Sequence, residues 1–130
     1  MPQTLKEMIE AANAVVPKVD RAGAEALMAE GALVVDVRDA PELVHDGKVV
    51  GARHVSRGML EFRADAASPF HDPEFRPDRP VVLYCGAGGR AALAGKSLKD
   101  MGFARVYNLG AFKDWVEAGG AVERPLEGGM

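Results

Sequence analysis

Val81-Val82-Leu83-Tyr84-Cys85-Gly86-Ala87-Gly88-Gly89-Arg90 joins an unbroken apolar run to a glycine-rich loop, with the chain's single cysteine at the junction. The apolar run predicts a strand buried on both faces, as in the middle of a parallel sheet. Beyond the loop, Ala91, Ala94, Leu98 and Met101 recur at helical spacing and Gly102 follows, so a helix is expected over residues 90–101. Strand, tight loop and helix form the repeating unit of an α/β fold. In such sheets ligands settle beyond the carboxyl ends of the strands, and Cys85 falls there.

The flanking sequence fits that unit. Leu33-Val34-Val35-Asp36-Val37 is a second apolar strand, interrupted by one carboxylate. Thr4 and Glu7 form a capping box ahead of Leu5, Met8, Ile9 and Ala12, which predicts an amphipathic N-terminal helix within residues 1–15. A short strand is expected around residues 16–19, and Asp20 caps a second helix that stops at Gly31. Further elements are a helix over 41–46, a weak strand over 52–55, a helix over 57–65, a strand over 105–108 and a helix over 112–118. Pro69, Pro73 and Pro77 mark residues 68–79 as a surface loop. Phe112 and Trp115 read as core. The expected architecture is a three-layer α/β/α domain over residues 16–122, with a central, mainly parallel sheet of about five strands. Residues 123–130 are expected to form a mobile tail.

At 130 residues the chain suits one domain, and its balance of 48% hydrophobic and 27% charged residues is that of a compact fold. A net charge of −3 argues against a nucleic-acid binder, which needs a basic face for phosphates. No apolar stretch approaches the length of a membrane span, and the start of the chain lacks the pattern of a secretory signal. A cytoplasmic protein without nucleic-acid or membrane partners is expected.

A lone cysteine cannot form an internal disulfide, so Cys85 is either a core thiol or a reactive one. The loop favours reactivity. Gly86, Gly88 and Gly89 allow the backbone to curl so that the amides from Gly86 through Arg90 turn inward as an anion nest. The following helix adds the positive end of its dipole. A phosphate loop is excluded, because that pattern needs glycine where Arg90 stands, and Gly95-Lys96-Ser97 lies inside the helix. Arg90 has two open roles: gripping an anion, or tying the loop down through carbonyls or a carboxylate.

Strand, Cys85, a loop ending in Arg90 and then a helix together resemble the rhodanese-like sulfurtransferases. Asp36-Val37-Arg38 is similar to that family's Asp-Val-Arg at the end of a core strand. The segment from Gly47 to Val55 resembles its Gly-His-Ile-Pro-Gly-Ala stretch, and Gly102-Phe103 with Val106-Tyr107-Asn108-Leu109 through Trp115 resembles its closing region. The resemblance covers about residues 16–122. It departs at Lys48, where the family often has His, at Ala91, where Ser or Thr is common, and at Ala111, which replaces a glycine.

The resemblance implies that Cys85 takes sulfane sulfur from thiosulfate or a similar anionic donor as a persulfide, then yields it to a thiol or cyanide. Gly86, Ala87, Gly88, Gly89 and Arg90 would form the anion-binding loop. No metal or organic cofactor is implied, and the partners are a small anionic donor and a thiol acceptor, including a protein thiol. Asp36 is expected to seat the loop through an ion pair or hydrogen bond rather than to orient the site, and Arg38 is expected in a surface pair with Glu42. Two other readings stand beside this one: a sulfur-carrier or persulfide-sensing module without turnover, and a phosphatase or arsenate reductase of the same fold. The latter enzymes carry five residues between Cys and Arg, against four here.

Overall fold

The computed structural model describes residues 2–124. Its centre is a four-stranded sheet in the order β3-β1-β4-β5, parallel throughout, built from β1 (Leu33–Asp36), β3 (Arg53–His54), β4 (Val81–Cys85) and β5 (Val106–Ala111). Every residue of β1 and β4 is buried, as their continuous apolar sequences require.

Side chains alternate between the two faces. Leu33, Val35, Val81, Leu83 and Cys85 pack with α4 (Leu60–Ala64) and α5 (Gly89–Asp100), while Val34, Val82 and Tyr84 pack with α2 (Arg21–Ala29) and α6 (Phe112–Glu117). The result is the expected three layers. Small residues on α5, namely Ala91, Ala92, Ala94 and Gly95, let that helix approach the sheet closely. The N-terminal helix α1 (Leu5–Val15) carries the expected capping box, with Glu7 N–H donating to Thr4 Oγ1 at 3.1 Å and Thr4 N–H to Glu7 Oε1 at 2.9 Å. It packs on α5, burying Ala12.

Several local expectations need correcting. The fifth strand, around residues 16–19, shrinks to one bridge from Lys18 to Asn108, because Pro17 lacks the N–H a ladder would need. The 57–65 helix is a 3₁₀ turn, Arg57–Met59, followed by the single short α4. A two-stranded antiparallel ladder was not foreseen: β2 (Lys48–Val49) pairs with β6 (Val122–Glu123). Two-residue strands carry no periodicity to read. This ladder engages Glu123, and Arg124 donates to the carbonyls of Val44 and His45, so these two residues are held where a tail was expected. Residues 125–130 of that expected tail lie outside the described residues.

The proline-rich loop is pinned by Phe75, which is buried and meets Phe103 edge-on at 6.3 Å. No helix among the described residues is long and apolar enough to cross a membrane.

Candidate active site

Cys85 ends β4, so the sheet delivers its side chain to the carboxyl edge, on the face covered by α5. The residue is only 1% exposed, yet Gly86 and Ala87 immediately above it are exposed. The chain then turns back over the sulfur. Gly88 N–H donates to Cys85 Sγ at 2.9 Å, and Gly88 caps α5 with φ +100°, a left-handed conformation that a side chain would strain. No side chain caps α5, so the first amides of that helix stay free at this edge.

Of the amides expected to form the nest, that of Gly88 donates to the sulfur, and those of Gly89 and Arg90 open α5. Gly88 supplies the hydrogen bond to sulfur, and it alone of the loop glycines has positive φ. At Gly86 the constraint is space: a Cβ there would stand 3.1 Å from Arg90 Nη2, which would have to give by a few tenths of an ångström. At Gly89 a Cβ would make an ordinary 3.5 Å contact with Ile9, so its backbone asks for no glycine.

A bulge in β5 braces the loop from beside. Leu83 pairs with Asn108 and Tyr84 with Gly110, which leaves Leu109 as the extra residue. The bulge presents the buried Asn108 amide to the loop. Its Nδ2 donates to Gly88 O at 3.3 Å, while its Oδ1 accepts from Gly110 N–H at 2.8 Å. Asn108 was absent from the sequence-derived site, because only the bulge aims it there.

Arg90 is tied to a carboxylate. Its Nη1 and Nη2 donate to the two oxygens of Glu42 at 2.8 and 3.0 Å, a bidentate pair joining α5 to α3 (Ala40–Asp46). Glu42 also accepts from Asp39 N–H at 2.9 Å. The Arg90 guanidinium holds the Glu42 carboxyl down to about 2, and Glu42 in turn pushes Arg90 up.

The expected Arg38–Glu42 surface pair is thus overturned. Arg38 is 1% exposed and faces Asp36, itself fully buried, with Nη2 to Oδ2 at 2.7 Å. Arg38 N–H donates to Asp36 Oδ1 at 2.9 Å, and Arg38 Nη2 also donates to Gly47 O at 2.7 Å. The guanidinium lies 4.4 Å from the Phe112 ring centroid and 5.6 Å from that of Tyr84. Burial works against the charge on Arg38, but Asp36 outweighs it and the pKa rises. Gly47 has φ +84° and no room for a Cβ, which would meet a Val122 methyl at 3.0 Å and Glu123 O at 3.1 Å. Asp36 and Arg38 therefore fasten the α3–β2 turn beneath the site. The Cys85 loop is held by Glu42 and Asn108 instead.

What gathers at the sheet edge is one thiol under an exposed loop, a backbone amide on its sulfur, the start of a helix and a neutralised arginine. That set suits covalent capture of a small group by sulfur.

The chain is similar to several known proteins and solved structures. Thiosulfate sulfurtransferase GlpE of Pseudomonas fluorescens is 36% identical over 93 residues, covering 71% of this chain and 77% of that protein. For YqhL of Bacillus subtilis, an uncharacterized protein 35% identical over 85 residues, the match covers 65% of this chain and 60% of that protein. The solved structure of a Rhodopseudomonas palustris protein of unknown function, a possible tyrosine phosphatase, superposes with a TM-score of 0.83 at 40% identity, covering 95% of this chain and 99% of that one. The polysulfide-sulfur transferase homodimer of Wolinella succinogenes gives 0.74 at 34% identity, covering 93% and 88%. The family model for the rhodanese-like domain matches residues 20–118, a span that contains Cys85, its loop and both arginine pairs, and the chain belongs to the rhodanese-like domain family.

Proposed function

We propose that this domain is a sulfurtransferase that moves sulfane sulfur from a small anionic donor to a thiol or cyanide through a persulfide on Cys85. The observation that carries the reading is the Gly88 N–H on Cys85 Sγ at 2.9 Å, at the edge where β4 meets α5. In the first step the Cys85 thiolate attacks the outer sulfur of thiosulfate. The new S–S bond makes the cysteine persulfide, and the old one breaks to release sulfite with its electron pair. An acceptor thiolate then attacks the terminal sulfur, leaving as a persulfide and restoring the Cys85 thiolate. The Gly88 amide and the free amides of α5 stabilise the anionic sulfur as an oxyanion hole would. Gly86, Ala87, Gly88, Gly89 and Arg90 form the loop that does this, with Asp36 and Arg38 as support from below. The activities named for the Pseudomonas and Wolinella proteins support this class of chemistry. We place the domain in the cytoplasm, where a lone thiol stays reduced.

The phosphatase reading draws on the description of the Rhodopseudomonas protein. Four residues separate Cys85 from Arg90 here, and a phosphoryl group must find donors for three oxygens inside that short ring. Both readings, and that of a carrier without turnover, meet one experiment. After incubation with thiosulfate, the intact protein should gain the mass of one sulfur atom and lose it to cyanide over repeated cycles. The Cys85→Ser variant should gain none. Loading without turnover would identify a carrier, and Cys85-dependent release of phosphate from an aryl phosphate faster than sulfur transfer would overturn the proposal.

A further inference from the structure

The arginine at the loop that covers Cys85 brings that loop no net side-chain charge. Glu42 meets both terminal nitrogens of Arg90, at 2.8 and 3.0 Å. This pair sits at the mouth of the site, because a Cβ on Gly86, the residue next to Cys85, would lie 3.1 Å from Arg90 Nη2 and 3.5 Å from Glu42 Oε1. Arg38 is held by Asp36 and the Gly47 carbonyl. On the other flank of the loop, a cavity of about 420 Å³ is lined by Lys18 and Asp114 as well as by Gly88 and Gly89. Asp39, on the same turn as Glu42, adds a further negative charge that Arg90 feels. Among these groups of the described residues, both arginines have their own carboxylate, the cavity lining carries one cation and one carboxylate, and Asp39 is left over.

A dianion gains little from such a mouth, whereas a backbone amide and a helix start suffice for a single negative charge. We propose that Glu42 is the specificity-determining residue of this site, and that it selects sulfur donors carrying one negative charge, thiosulfonates and organic persulfides, over dianionic thiosulfate. The inference rests on the sulfur-transfer reading and deepens it. With a thiosulfonate, the Cys85 thiolate attacks the outer sulfur, the S–S bond to the sulfonyl group breaks, and a sulfinate departs with the electron pair. With an organic persulfide, the same attack releases a thiolate.

Thiosulfate and methanethiosulfonate share the scissile bond and differ by one charge, so they isolate the effect. Both should load sulfur on Cys85 in the unmodified protein, read by intact mass. Loading by neither would overturn the sulfur-transfer reading and this inference together. In Glu42→Gln, Arg90 is left uncompensated, and the ratio of kcat/KM for thiosulfate to that for methanethiosulfonate should rise on the order of tenfold, mainly through a lower KM for thiosulfate. Glu42→Asp keeps the charge and should restore the parental ratio. A ratio in Glu42→Gln within about twofold of the parental value, or equal losses with both donors, would reduce Glu42 to a structural tie and overturn the inference alone. A reading independent of that variant's folding comes from salt on the unmodified protein. Between about 10 mM and about 0.2 M salt, kcat/KM for thiosulfate should hold or rise relative to that for methanethiosulfonate, because salt screens the repulsion between the dianion and the leftover Asp39. A steeper loss for thiosulfate would reveal a free cation meeting the donor, and would also overturn it.

Discussion

Two arginine–carboxylate pairs lie within one strand-end of each other and do different work. Asp36–Arg38 spans two positions in sequence, is 0% and 2% exposed at its side chains, and bonds a turn carbonyl besides. Glu42–Arg90 spans 48 positions and is 35% and 37% exposed. The first replaces water entirely, so each partner needs the other to justify a buried charge. The second keeps part of its hydration, so its attraction contributes little to stability and its position over Gly86 matters more. The shortest contacts are similar in the two pairs, 2.7 and 2.8 Å; burial assigns one to the scaffold and the other to the site.

The strongest way to break that contrast is Arg38→Met. Removing the guanidinium strands the fully buried Asp36 carboxylate beside Tyr84, and the expected loss is about 3–5 kcal/mol in urea unfolding. A loss below about 1 kcal/mol would mean that water reaches Asp36 and that the two pairs are alike.

Asn108→Ala tests the brace between scaffold and loop. It leaves the Gly110 N–H and the Gly88 carbonyl without their side-chain partner, at a cost of about 1–3 kcal/mol. Sulfur loading at Cys85 should slow more than the stability change accounts for, because the Gly88 amide loses its anchor. Unchanged loading kinetics would free the loop from any dependence on β5.

Arg90→Met should lower stability by less than about 1 kcal/mol while altering sulfur-transfer kinetics. Equal stability losses in Arg38→Met and Arg90→Met would erase the distinction drawn from burial.

The smallest effect is in acid. Glu42 has its folded pKa depressed to about 2, from an ordinary 4.5, by its bond to Arg90. A depressed carboxyl stabilises the folded state above its unfolded pKa, and this contribution fades as pH falls from about 4.5 towards 2. Partial exposure keeps it below about 1 kcal/mol. Stability curves of the parent and Glu42→Gln should therefore converge through that window; parallel curves would show that the pair contributes nothing in solution.

Legibility followed the range of the interaction. The stretches Leu33–Asp36 and Val81–Cys85 announced themselves because burial on both faces demands continuous apolar residues. The α1 capping box and the Asp20 cap, which accepts from Gly23 N–H at 2.8 Å, were legible because their donors sit three residues away. Proximity along the chain points Arg38 to Glu42, yet the bend at Arg38, two residues past β1, turns it back onto Asp36. The β2–β6 ladder left no trace, since two-residue strands show no period.

Cys85 and its loop could be singled out from sequence because a cysteine between a buried strand and a glycine-rich helix start is a local arrangement, fixed by residues within one turn. What holds that loop comes from elsewhere: Glu42 from α3, Asn108 from the bulge in β5. No periodicity or spacing encodes which carboxylate an exposed arginine meets, because that depends on where the sheet sets two helix starts. Residue order determined the nucleophile, and the parallel packing of α3, β4, β5 and α5 decided the charge that surrounds it.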